Sequence, residues 1–151
     1  MRDRRSASGT TLVEAIVALG ILAGAVTLLA GLAHAAVRSA SLSRERSLAA
    51  VYALDKIEAL CRDVRPLALS PGDTLGADVS GFIEYLDARG VVAAGGDRVF
   101  VRRWSVAAVR ADPDLLAIQV EVAPSRARDG GRAGDPAARV RLATVRSRLA
   151  W

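Results

Sequence analysis

Cysteine, histidine, methionine and lysine each occur once in this 151-residue chain, as Cys61, His34, Met1 and Lys56. A lone Cys61 closes no intrachain disulfide, so the fold must stand on packing without a covalent staple. With His34 placed at the end of an apolar run, no Ser–His or Cys–His pair is available to a soluble domain. The same scarcity leaves no ligand cluster for zinc. The acids are scattered beside arginines without a paired-carboxylate spacing, and the GLG and GG fragments are not phosphate loops. These absences point away from an enzyme: no catalytic residue, metal or cofactor is expected.

Lysine is scarce because arginine replaces it. Twenty of the 21 basic residues are Arg, against 16 acids, which gives a net charge of +5. Together with abundant alanine this reads as high-GC codon usage rather than as a nucleic-acid surface. The basic residues are spread along the chain instead of gathered in one block, so nucleic acid is not an expected partner. The length suits one modest domain plus extras.

Charge is missing altogether from Ala15 to Ala33, a run of 19 residues. As a helix it spans about 28 Å, enough to cross the hydrocarbon core of a bilayer. Arg2, Arg4 and Arg5 precede it, which predicts the N-terminus in the cytoplasm and the remainder outside. Glu14 stands at the entrance of this run, although a charge at bilayer depth costs roughly 2.5–3.5 kcal/mol. A carboxylate snorkelling to the interface is one explanation. An ordinary secretory signal is a second frame for the segment, because Ala33–His34–Ala35 fits a small-residue cleavage site. The apolar stretch is longer than the usual ~7–15 residues, however, and that reading leaves Glu14 without a role. It would yield a secreted or membrane-anchored binding domain that begins at Ala36.

Residues 9–14, Gly-Thr-Thr-Leu-Val-Glu, resemble the cleavage and methylation signature of type IV prepilins and type II secretion pseudopilins. In that family a short basic leader ends in glycine, a membrane peptidase cuts after it, and the new N-terminus is methylated. The resemblance places cleavage between Gly9 and Thr10, N-methylation on Thr10, and the assembly acid at Glu14, preceded by Leu12 and Val13. Thr10 departs from the family's usual phenylalanine, which bears on methylation more than on cleavage. The family's scheme sets the acid against the N-terminal amine of a neighbouring subunit, two opposite charges that attract strongly where the dielectric is low. It implies a structural subunit of a pilus or secretion filament, with a DNA-uptake pilin as a further alternative. Its partners would be other pilin or pseudopilin subunits, the prepilin peptidase, an inner-membrane assembly platform and the lipid bilayer. The location implied is the bacterial inner membrane, single-pass, with the C-terminal domain periplasmic.

Neither proline nor glycine occurs from Val37 to Arg65, and Pro66 supplies the break. One helix is therefore expected from about Thr10 to Val64. Its outer half should seat on a domain through Ala50, Ala53, Leu54, Ile57, Leu60, Cys61 and Val64, with Cys61 as a small core residue. Within the apolar half, Gly20 and Gly24 form a G-x-x-x-G pair that permits close helix approach, although glycine is also common in membrane helices. His34 reads as an interfacial residue.

Beyond a loop at 67–81, apolar or alternating runs at 82–88, 98–110, 115–123 and 138–147 read as strands. Turns are expected at Gly95–Gly96–Asp97 and Asp112–Pro113–Asp114. Short connections imply an antiparallel meander with one face on the helix stripe, an α+β fold. Trp104 should pack against one side of the sheet, and 124–139 reads as a flexible hairpin loop. The second half is similar to small minor pilins and minor pseudopilins of the I type. The expected organisation is a leader (1–9), a transmembrane half-helix (10–36), an amphipathic half-helix (37–65) and a β-rich extracytoplasmic domain (66–151).

Overall fold

In the computed structural model the chain from Leu12 to Arg62 is one helix, α1. The structure describes residues 12–63, 67–93, 95, 97–125 and 138–148. Both ends expected for the helix, Thr10 and Val64, lie outside the described residues. Polar side chains within it satisfy themselves on the preceding turn, Thr27 Oγ1 on the Gly24 carbonyl (2.8 Å) and Ser47 Oγ on that of Ser43 (3.0 Å). Near its end Arg62 reaches back to Glu58 at 2.6 Å, a cation placed favourably at the C-terminal pole.

By packing, the chain divides into two units, Met1–Ala40 and Ser41–Trp151. The described part of the first, residues 12–40, is helix throughout, and every residue in it is exposed. The second unit combines the helix from Ser41 onward with a four-stranded sheet. Its strands are β1 (Ile83–Leu86), β2 (Phe100–Val109), β3 (Asp112–Pro124) and β4 (Val140–Ser147), antiparallel and in the order β1-β2-β3-β4. The expected meander and α+β class are thus observed.

Alternation settles which face meets the helix. On β2 and β3 the even-numbered residues are the buried set on that face: Phe100, Trp104 and Val106 opposite Ile118, Val120 and Val122. Three helix residues at four-residue spacing, Ala49, Ala53 and Ile57, close the core above them. This seat is rotated from the expected stripe: Leu54 is half exposed and Cys61 is exposed. The reason is steric and polar together. Two alanines let the helix backbone lie close to the sheet, and the flanking Tyr52 and Lys56 find partners for their polar ends there. A face that looks too polar in sequence is therefore the one that is buried.

The β2–β3 link also differs from the expectation. Arg110 and Ala111 make the turn, and Asp112 already pairs with Val109. Pro113 falls within an irregularity at this end of the hairpin, where a missing N–H costs no ladder bond. The loop expected at 67–81 is present and doubles as an edge cover for β2. Ser70 exchanges bonds with Val106, its N–H donating to the Val106 carbonyl (2.9 Å) and its Oγ accepting the Val106 N–H (2.8 Å). Buried Thr74 donates to the Trp104 carbonyl at 2.6 Å.

A turn after β1 grips the helix. Asp87 Oδ1 accepts the N–H groups of Arg89 and Val91 (2.8 and 2.9 Å), and Gly90 takes a φ of 83°. Tyr52 crosses from the helix to donate to the Ala88 carbonyl at 3.0 Å, and a Cβ on Gly90 would run into its ring. Gly90→Ala therefore combines a left-handed backbone with a collision. It is expected to lower the unfolding free energy by roughly 1–3 kcal/mol, read as a shifted urea midpoint of tryptophan fluorescence.

Candidate functional site

Two features of the described residues stand out chemically: a helix surface with nothing on it, and an ion cluster beneath the other half of the same helix.

The uncovered surface runs from Leu12 to Ala40. Large apolar side chains such as Leu12, Ile21, Leu28 and Leu32 are each about two-thirds exposed or more, a density far beyond scattered surface leucines. The helix is long and apolar enough to cross a membrane. Glu14 lies in its first turn, where a carboxylate meets the positive pole of the helix dipole. Gly20 and Gly24 lie on the same segment, and a Cβ at either would meet no atom within 4 Å. Among the described residues, then, neither glycine is required for packing. Gly9 and Thr10 lie outside the described residues. His34 is exposed, and Ala33–Ala35 sit inside unbroken helix.

The ion cluster centres on Glu84 of β1, which shares the helix face of the sheet with Arg102 across the strand pair. One carboxylate oxygen accepts Lys56 Nζ at 2.6 Å, and the other accepts Arg102 Nη2 at 2.6 Å and Nε at 3.0 Å. Arg102 is 7% exposed; its Nη1 continues to the Tyr52 carbonyl (3.0 Å) and to Asp55 (3.1 Å). Lys56 Nζ also lies 3.8 Å from the centroid of the Trp104 ring, a cation–π contact at a largely desolvated position. Trp104 is buried on this face, as expected of it. Burial pushes the Glu84 carboxyl upward, but hydrogen bonds and charge from Lys56 and Arg102 outweigh it, so the group ends below its ordinary value.

Sequence reasoning overlooks this cluster because Lys56, Glu84 and Arg102 are distant in the chain and each looks like a solvated surface residue. One signal was available: the only lysine stands four residues after Tyr52 and four before Leu60, on the side of the helix that turns inward. No group of three His, Cys, Asp or Glu side chains among the described residues is arranged to hold a metal ion. No buried side-chain N or O of the cluster lacks a hydrogen-bond partner, and the cluster joins helix to sheet.

Comparison with protein-family models, with curated proteins and with solved structures gives no match. The structure alone therefore defines the class. It is an α+β protein in which a long, apolar N-terminal helix packs its later part on an antiparallel sheet, an arrangement compatible with a pilin-like fold.

Removing Glu84 would strand two nearly buried cations. Glu84→Ala is expected to cost about 3 kcal/mol. Because the folded-state value lies below the ordinary 4.5, the carboxylate's contribution is complete above that pH and is lost as pH falls through the lower folded value. Urea unfolding across this acid range should show a shallower pH dependence for Glu84→Gln than for the wild type.

Proposed function

We propose that this chain is a structural subunit of a type IV pilin-like filament, a minor pilin or a minor pseudopilin of a type II secretion system. One observation carries the reading. An apolar helix preceded by Gly9 and entered at Glu14 is wholly uncovered over 12–40 and then continues into the helix of a folded domain. A free-standing apolar surface of this extent calls for a bilayer before assembly and for neighbouring helices after it.

In this scheme the peptidase cuts between Gly9 and Thr10 and frees an α-amine four residues before Glu14. The subunit waits in the inner membrane with its domain on the outer side, and Glu14 then pairs with the Thr10 amine of a neighbour. Each charge alone is costly at that depth, so pairing favours the assembled state. Gly20 and Gly24, unused within the chain, would allow adjacent helices to approach closely.

Mass spectrometry of the mature chain tests the processing step. A mass beginning at Thr10, with or without a methyl group, is the expected result; one beginning at Ala36 would instead mean a conventional signal peptide and end the proposal. Glu14→Ala should be processed normally and be incorporated into filaments at least about tenfold less efficiently. Normal incorporation would remove the role assigned to Glu14.

A further inference from the structure

The sheet ends in β4, whose outer edge no other strand of the described residues covers. The register of β4 on β3 runs without a slip from Leu115↔Ser147 to Val122↔Val140, and just beyond it the Arg148 N–H donates to the Asp114 carbonyl. Antiparallel pairing alternates, so the even-numbered residues of β4 direct their N–H and C=O groups to β3. Those of Arg141, Ala143, Val145 and Ser147 point outward, and all four residues are exposed. Among the described residues this leaves a row of backbone donors and acceptors without a strand partner, free of the prolines and bulges that usually blunt an edge.

Its charge is one-sided. From Ala138 to Arg148 there are four arginines and no acid. Arg139 and Arg141 share a single carboxylate, that of Glu121, at 3.6 and 2.7 Å, while each stays more than half exposed. Arg146 is held by a carbonyl, that of Leu60, at 2.7 Å, which neutralises nothing. Pairing with β4 of a second copy would set arginine beside arginine and is disfavoured. An extended segment rich in Asp or Glu would be drawn to the same edge.

We propose that the outer edge of β4 is a docking site for an acidic, extended segment of another protein, which adds to the sheet as a fifth strand. Main-chain hydrogen bonds to Arg141, Ala143, Val145 and Ser147 would supply the affinity, and the arginines the choice of partner. This proposal does not depend on the filament reading; it needs only the edge and its charge.

The test uses the full chain in zwitterionic detergent micelles and a blocked octapeptide that alternates glutamate and valine. Two further probes are the same peptide with lysine for glutamate and an oligothymidylate of equal length. Backbone amide exchange is followed by NMR. The acidic peptide should slow exchange at Arg141, Ala143, Val145 and Ser147 by about tenfold or more, while the lysine peptide leaves it unchanged. Val145→Pro removes an outward N–H and leaves the β3 ladder intact; it should abolish the protection while the even-numbered amides stay slow. Arg148→Glu should weaken binding by about tenfold without touching the strand. Equal binding of the lysine peptide, unchanged protection in Val145→Pro, or tighter binding of the oligonucleotide than of the acidic peptide would each overturn the proposal. So would edge protection in the absence of any peptide, which would mean that the chain covers the edge itself.

Discussion

The Ser41–Trp151 unit depends on how closely the helix can approach the sheet. Ala49 and Ala53 set that distance: both are fully buried, and each brings only a methyl group into the seam. A polar group buried in this seam loses its water and needs a partner there, and no buried side-chain N or O among the described residues lacks one. Glu84 meets this demand for two cations at once. It takes Lys56 from the helix and Arg102 from the sheet, and the Arg102 fork then bonds the Tyr52 carbonyl and Asp55 on the helix. Apolar packing lies beside these ion pairs in the same seam, so helix and sheet are joined by both.

The two portions of α1 solve different problems. From Ser41 onward, one side packs Ala49, Ala53 and Ile57 into the core while the other carries Glu58 and Arg62 in solvent, beside the exposed Val51 and Leu54. Before Ala40 there is no such division, because apolar residues surround the axis and all are exposed. A helix apolar all round is stable in contact with lipid or with other helices, not in water. Under the proposed function this contrast is the working principle of the subunit: one portion belongs to the filament or bilayer and the other belongs to its own domain.

Much of the fold was legible in the sequence because its signals are local. The unbroken helix follows from the absence of proline and the lack of glycine after Gly31, and all four strands follow from apolar or alternating runs bounded by turns. Trp104 packs on one side of the sheet, as a tryptophan within a strand run is expected to. What was not legible is what depends on pairs distant in the chain. The helix face is legible at Ala53, Ile57 and Leu60, but its rotation toward Tyr52 and Lys56 is not, because these count as polar until Ala88 and Glu84 are brought to them. The usual preferences of Asp and Pro put the hairpin turn at Asp112–Pro113–Asp114. The strand instead absorbs Pro113 in an irregularity and turns at Arg110–Ala111. The residues that carry the proposed function show the opposite pattern: the Gly9-to-Glu14 spacing is plain in sequence, while Gly9 and Thr10 lie outside the described residues.

The solitary lysine has a practical corollary. Its ammonium is pinned between a carboxylate and an indole and is only 14% exposed, so it is a poor nucleophile while the domain stays folded. Arginine supplies all the remaining basic side chains and does not react with amine-directed reagents. Such a reagent applied to the native protein would mark chiefly the terminal α-amine.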